Sequence, residues 1–368
     1  MPIKVLVVDD SALMRALLSE IINGAPDLEV VGTAPDPIAA REMIKALNPD
    51  VLTLDVEMPR MDGLEFLRHL MRLRPMPVIM ISALTERGSE VTLQALEIGA
   101  VDFLAKPRAE NVSQLLGYAD EIRDKIRMAK SARLKTGAVK SVEGRGAASV
   151  VAAAAPISAA ASAALSLGGG ASRNLKDRVV AIGASTGCTE AIKDVLSRLP
   201  AEMPPIVMVQ HMPETFTPSF ARRLDTVGPL RVVEAQGGER LQSGTAYLAP
   251  GHSHMSVRRS AGGYVLELAK SEPVNRHRPA VDVLFHSVAE QVRNHALGVI
   301  LTGMGKDGAQ GMLAMRKAGA WNIGQDQASC VVYGMPKEAA QVGAVDEVAA
   351  LPDIAARIVA RLRAEPRA

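Results

Sequence analysis

Two groups of residues have the types and neighbours that chemistry needs. Asp9, Asp10 and Asp55 each sit at the end of an apolar run. Carboxylates brought together repel one another unless a cation lies among them. A hard divalent ion such as Mg²⁺ suits an all-oxygen site. With the charge neutralised, one carboxylate can attack a phosphoryl group and become an aspartyl phosphate. Ser82 closes a further apolar run and can donate to a phosphoryl oxygen. Lys106 closes the next and brings positive charge; Pro107 follows it, where a cis bond would aim the lysine. Singly, each has a plain reading as a cap, a turn residue or a solvated loop lysine. Together, at successive run ends, they point to a phosphoryl-accepting pocket.

The second group begins at Gly183-Ala184-Ser185-Thr186-Gly187. The Gly-x-Ser-x-Gly spacing is that of a nucleophile elbow, a sharp turn exposing serine above a sheet. A helix starting near Thr189 would set its positive end behind the serine. Glycine-rich turns of this kind also bind phosphate, so the motif alone leaves both readings open. His211 closes the next apolar run, where it can act as the base or fill a structural role. Asp307 lies in Thr302-Gly303-Met304-Gly305-Lys306-Asp307-Gly308. It can orient an imidazole, although Asp beside Gly is also a common turn residue. Backbone N–H groups of that turn, Met304 among them, suit an oxyanion hole. The order Ser, His, Asp differs from that of α/β-hydrolases, so a distinct parallel-sheet enzyme is expected. His252, His254 and His277 lack a carboxylate or Cys at a spacing that would support zinc. No cofactor is expected for the hydrolytic step.

These residues need elements to position them. Ile3–Val8, Val30–Thr33, Val51–Leu54, Val78–Ile81 and Val101–Leu104 read as buried strands. Ser11–Ile22 and a segment over 111–130 read as helices among those that alternate with them. The pattern predicts an α/β, flavodoxin-like doubly wound domain over 1–125, with its ligand site at the carboxyl ends of the strands. A stretch over 126–174 is expected to be a linker; from 131 it is rich in Ala, Ser, Gly and Lys, with Pro156 and Gly168-Gly169-Gly170 arguing against a helix. Alternation resumes with Val179–Ala184, Ile206–Gln210, Leu230–Val233, Ala246–Ala249, Tyr264–Leu268 and Leu297–Thr302. They predict a second doubly wound, Rossmann-like parallel-sheet domain over 175–365.

Composition narrows the function classes. The chain has 368 residues, 48% of them hydrophobic and 22% charged, enough for two ordinary cores. A net charge of +2 gives no nucleic-acid footprint. Cys188 and Cys330 make no disulfide framework and fit a reducing cytoplasm. The strand-like start is not a signal peptide. The Ala-rich stretch at 147–167 holds Pro156, several Ser and few large side chains, unlike a membrane span.

Val7-Val8-Asp9-Asp10-Ser11, Leu54-Asp55-Val56-Glu57-Met58-Pro59, Met61-Asp62-Gly63 and Lys106-Pro107 resemble response-regulator receiver domains. The resemblance implies Asp55 as phosphoacceptor and Mg²⁺ held by Asp10, Asp55 and the Glu57 carbonyl, with Asp9 helping. It implies Ser82 and Phe103 as a switch pair; by position alone Phe103 reads equally as core. Ile182-Gly183-Ala184-Ser185-Thr186-Gly187, Gln210-His211-Met212-Pro213, Pro273-Val274-Asn275-Arg276-His277-Arg278-Pro279, Asp282-Val283-Leu284-Phe285 and Leu301-Thr302-Gly303-Met304-Gly305 resemble the chemotaxis protein-glutamate methylesterases. That family hydrolyses glutamate methyl esters on chemoreceptors, releasing methanol, and many members deamidate receptor glutamines. The resemblance implies Ser185 as nucleophile, His211 as base, Asp307 as orienting acid, a Met304 N–H in the oxyanion hole, and Thr186 helping to position the histidine. It implies a chemotaxis histidine kinase as phosphodonor, chemoreceptors as substrate, and a location peripheral to receptor clusters. Arg276 and Arg278 are expected to dock an acidic receptor segment, or else to form a solvated basic loop. Two departures stand out. Cys188 replaces a usual Gly, and Lys306 replaces a usual Asn beside Asp307. Two other readings are a receiver with a binding output and a receiver fused to an unrelated serine hydrolase.

Overall fold

The structure is a computed structural model and describes residues 1–58, 62–82, 85–106, 112–134 and 177–365, with the side chains of 86, 87, 112–116 and 188 left out. The expected cis bond at Pro107, and all but the first residues of the expected linker, lie outside the described residues.

The first domain alternates β1 (Ile3–Val8), α1 (Ala12–Asn23), β2 (Leu28–Ala34), α2 (Pro37–Leu47), β3 (Val51–Asp55), α3 (Gly63–Leu73), β4 (Val78–Ser82), α4 (Glu86–Ile98), β5 (Asp102–Ala105) and α5 (Val112–Ser131). The strands form one parallel sheet in the order β2-β1-β3-β4-β5. The winding reverses between β1 and β3, so the acids that end those strands meet at the switch point. Side chains at the helix starts satisfy free backbone N–H groups: Asp36 accepts from Ala39, Asp62 from Glu65 and Thr85 from Gly88. Helix α5 carries residues 126–131, which the sequence reading assigned to the linker. Its buried Ile126, Met128 and Ala129 pack on the same core as Leu18 and Ile22, so the first unit continues past residue 125.

The second domain contains β6 (Val179–Ala184), α6 (Cys188–Arg198), β7 (Ile206–Gln210), α7 (Thr217–Leu224), β8 (Arg231–Glu234) and β9 (Thr245–Leu248). Then follow β10 (His254–Ser260), β11 (Gly263–Ala269), α8 (Val281–Gln291), β12 (Ala296–Ile300), α9 (Ala309–Lys317), β13 (Trp321–Gln325), α10 (Met335–Gln341), β14 (Glu347–Ala349) and α11 (Leu351–Arg363). Seven strands form a parallel sheet in the order β14-β13-β12-β6-β7-β9-β8. β6 lies at the centre, where the winding reverses, and its carboxyl end is the expected ligand edge. β10 and β11 form an antiparallel hairpin outside that sheet.

Candidate active site and phosphorylation site

Ser185, His211 and Asp307 arise from three neighbouring strands at one edge. Ala184 and Gln210 are paired partners on β6 and β7, and His211 donates its N–H to the Ala184 carbonyl at 3.2 Å. Ser185 donates its N–H to Thr302, which follows β12, at 3.2 Å. Ser185 is buried, at 8% exposure.

The glycines of the elbow have distinct reasons. Gly187 has φ +75 and opens α6. A Cβ at Gly183 would lie 2.2 Å from Val281, so glycine lets α8 close against β6. Gly303 was not among the predicted site residues, yet a Cβ there would come within 2.8 Å of the Ser185 Cβ. Its place in the Thr302-Gly303-Met304 run is the sequence signal for it.

Asp307 Oδ2 meets His211 Nε2 at 2.7 Å and also accepts from the Val281 N–H at 2.6 Å. Oδ1 accepts from Asn275 Nδ2 at 2.8 Å and from the Asp282 N–H at 3.1 Å. Burial would raise the acid, but the His211 contact, the Asn275 amide and the α8 N-terminus outweigh it and hold Asp307 below the usual carboxylate range. His211 Nδ1 is buried and makes no hydrogen bond. Nδ1 is thus the imidazole nitrogen that Asp307 does not engage. The His277 ring stacks on His211, centroids 3.7 Å apart. Burial first, and the neighbouring His211 second, push His277 well below the usual imidazole range, so it stays neutral.

Other predicted residues fall elsewhere. Thr186 donates its hydroxyl to Asp102 Oδ2 in the first domain at 2.6 Å. Lys306 is exposed and forms no ion pair among the described residues, so the substitution leaves Asp307 unpaired with it. Arg276 is exposed and lies 3.8 Å from Asp124 of α5, while Arg278 donates to the Ser271 carbonyl at 3.0 Å. The side chain of Cys188 is outside the described residues. Cys330 is buried, which pushes its thiol up to about 12.

In the first domain, oxygens of Asp9, Asp10 and Asp55 lie within 4.8 Å of one another. Lys106 Nζ donates to Asp55 Oδ2 at 2.7 Å and lies 3.3 Å from Asp9 Oδ2. Burial, with the Asp9 charge adding, raises Asp55 to about 6 despite Lys106. Burial alone would lower Lys106, but the two carboxylates win and raise it. The Glu57 N–H donates to Asp55 Oδ1 at 3.3 Å. Ser82 Oγ donates to the Gly88 carbonyl of α4 at 3.3 Å.

The two sites are joined by a packed interface. Phe103 stacks on Phe216, centroids 4.5 Å apart, within one continuous buried apolar cluster. Glu97 of α4 binds Lys193 at 2.8 Å and takes both Nε and the terminal nitrogen of Arg223. Ser89 Oγ donates to the Thr215 carbonyl at 3.0 Å, and Arg133 donates to the Val331 carbonyl at 3.1 Å. Met304, which follows Gly303, packs with Val331 and Val332 against the first-domain core. Asp102 ties the interface to the turn that holds Ser185; beyond the Thr186 hydroxyl it holds Lys125 Nζ at 3.1 Å. Nothing in its local sequence distinguishes Asp102 from any acid at a strand start.

A CheB methylesterase family model matches residues 180–358, and a response regulator receiver domain model matches residues 5–116. The crystal structure of the Thermotoga maritima CheB methylesterase catalytic domain is 39% identical, with a TM-score of 0.49, over 50% of this chain and 98% of that chain. Protein-glutamate methylesterase/protein-glutamine glutaminase 1 of Dechloromonas aromatica is 58% identical over 366 residues, spanning 99% of this chain and 100% of that protein. The protein-glutamate methylesterase/protein-glutamine glutaminase of Nitrosomonas europaea is 59% identical over 360 residues, spanning 98% of this chain and 96% of that protein. This chain therefore belongs to the CheB methylesterase family, in the form that carries an N-terminal response regulator receiver domain.

Proposed function

We propose that the protein hydrolyses glutamate methyl esters on chemoreceptors, releasing methanol, and deamidates receptor glutamines, for adaptation in bacterial chemotaxis. The observation that carries this reading is the hydrogen bond between His211 and Asp307 beside Ser185. Ser185 Oγ attacks the ester carbonyl while His211 Nδ1 takes its proton. The tetrahedral oxyanion sits in the turn after β12, where the Met304 N–H and the elbow N–H groups suit it. Thr186, next to the nucleophile, helps to position the histidine once its hydroxyl is released from Asp102. Collapse of the intermediate breaks the C–O bond, and His211 returns the proton to the leaving methoxide as methanol. Water, deprotonated by the same nitrogen, then attacks the acyl-enzyme and frees the glutamate and Ser185. For glutamine the leaving group is ammonia.

The receiver regulates this reaction. A chemotaxis histidine kinase donates a phosphoryl group to Asp55. Asp9, Asp10 and Asp55 fit Mg²⁺: their oxygens converge, and the buried Asp9 and Asp55 carboxylates share the single cation of Lys106. Asp10, Asp55 and the Glu57 carbonyl would hold the ion, with Asp9 helping, and when bound it neutralises the carboxylates and polarises the incoming phosphoryl group. Lys106 and Ser82 pair with the phosphoryl oxygens. Drawing Ser82 from the Gly88 carbonyl loosens α4, and Phe103 repacks away from Phe216. Both changes weaken the interface that covers Ser185. Arg276, released from Asp124, and Arg278 then meet the acidic receptor segment. The protein acts in the cytoplasm at receptor clusters; among the described residues no helix is long and apolar enough to cross a membrane.

Methanol release from methylated receptor membranes tests the reading. Wild type with a phosphodonor should release methanol, and Ser185→Ala should not. Equal release by the variant would remove Ser185 from the mechanism.

A further inference from the structure

Residues 273–279 carry a motif whose asparagine has no role in the reaction as described. Val274 and His277 exchange both backbone hydrogen bonds, at 3.0 and 2.9 Å, around Asn275 and Arg276. Both central residues have positive φ, 53 and 68, which defines a tight turn of the I′ kind. Asn tolerates that conformation; Arg does so at a cost. A turn held in an unfavourable conformation beside a reacting site marks a positional demand on what it carries.

The turn carries one polar group into the site. Asn275 is exposed as a residue, so it adds little to the core. Its Nδ2 nonetheless donates to two carboxylates, Asp307 Oδ1 and Asp282 Oδ2, each at 2.8 Å. Both acids are buried, at 1% and 7% exposure. Asp282 is anchored by the Gly311 N–H on its Oδ1 at 2.7 Å. Two carboxylates this close repel unless a donor lies between them. The amide is that donor, and it fixes the face that Asp307 offers to His211.

We propose that Asn275 is a positioning residue: its amide clamps the catalytic carboxylate Asp307 to the buried carboxylate Asp282 and so sets the orientation of His211. The proposal rests on the Ser185, His211, Asp307 reading given above. Removing the amide frees Asp307 to turn towards other donors and lets the two acids repel. An acid at 275 is worse, because it sets a third carboxylate where a donor is needed. Protonation restores the donor, so the defect of the acid variant should shrink as pH falls.

The test uses the full-length protein with a phosphodonor and methylated receptor membranes, comparing Asn275→Gly, Asn275→Asp and Ser185→Ala. Gly keeps the positive φ and loses the amide; Asp keeps the shape and loses the donor. The expected order of kcat at neutral pH is wild type, then Gly, then Asp. Gly should fall about 10- to 100-fold, the loss of the amide's hydrogen bond to the Asp307 carboxylate, with KM little changed. The Asp variant should recover relative to wild type as pH is lowered. A role in shape alone gives the opposite order, with Asp near wild type and above Gly, and would overturn the proposal. So would both variants lying within about twofold of wild type, by the same measure. If Ser185→Ala retains activity, the triad reading itself fails, and the two failures are thereby told apart.

Discussion

Glu97 offers a way to open the interface from a distance. It lies on α4, away from Ser185 and Asp55, and holds Lys193 and Arg223 across the domain boundary. Its side chain is 28% exposed, so the pairs are partly screened. Pairs of this kind contribute about 0.2–1 kcal/mol each, and the two-point grip of Arg223 favours the upper end. Glu97→Gln should therefore cost the closed arrangement about 0.5–2 kcal/mol. That is about a 2- to 30-fold gain in the parted fraction. Methanol release without a phosphodonor should rise by this factor, while the phosphorylated rate stays at the wild-type ceiling. Burial would raise Glu97, but Arg223 and Lys193 outweigh it and hold the acid below its ordinary value. The contribution is thus fully present above the ordinary carboxylate pKa and fades as pH falls through the lowered one. At neutral pH the effect is at full strength. Added salt should raise the basal rate of wild type more than that of the variant. An unchanged basal rate in a folded variant would refute the idea that these contacts hold the receiver over the site.

Three further outcomes follow from the same geometry. Asp307→Asn should lower kcat by about 10⁴-fold, because the imidazole loses the carboxylate that orients it, as measured by single-turnover methanol release. Asp55→Asn should keep the basal rate and lose its response to a phosphodonor, read in the same assay. Asp55→Asn should also stabilise the receiver at neutral pH without Mg²⁺. The raised Asp55 value, about 6 against 3.8, means the folded chain resists ionisation; the penalty is absent below about pH 4, grows with pH and levels off above 6. It amounts to about 3 kcal/mol in wild type, so thermal melts of the two proteins should converge at acidic pH and separate at neutral pH.

The residues that end strands were the most legible part of the sequence. Asp9, Asp55, Ser82 and His211 could be placed because a parallel sheet gathers strand ends, and an apolar run declares its own end. The Gly183 and Gly187 spacing declared the elbow for the same reason. Strands β10, β13 and β14 are not among the strands the apolar runs predict. β13 includes Asn322, Gly324 and Gln325, which break the apolar pattern. β14 is three residues long. The interface was hidden altogether. Nothing local to Asp102, Glu97 and Phe103 announces the partners that the second domain supplies in Thr186, Arg223 and Phe216. Contacts between domains leave no periodicity in either. Asn275 stands within a legible motif, but the two acids it binds lie 7 and 32 positions away.

On the proposed mechanism, a phosphoryl group on Asp55 governs access to Ser185. Labelling of Ser185 by a fluorophosphonate, followed by intact-protein mass, measures that access without any receptor. With a phosphodonor and Mg²⁺ the labelling rate of wild type should rise, and that of Asp55→Asn should stay at its basal value. Equal labelling of wild type with and without the phosphodonor would contradict the account.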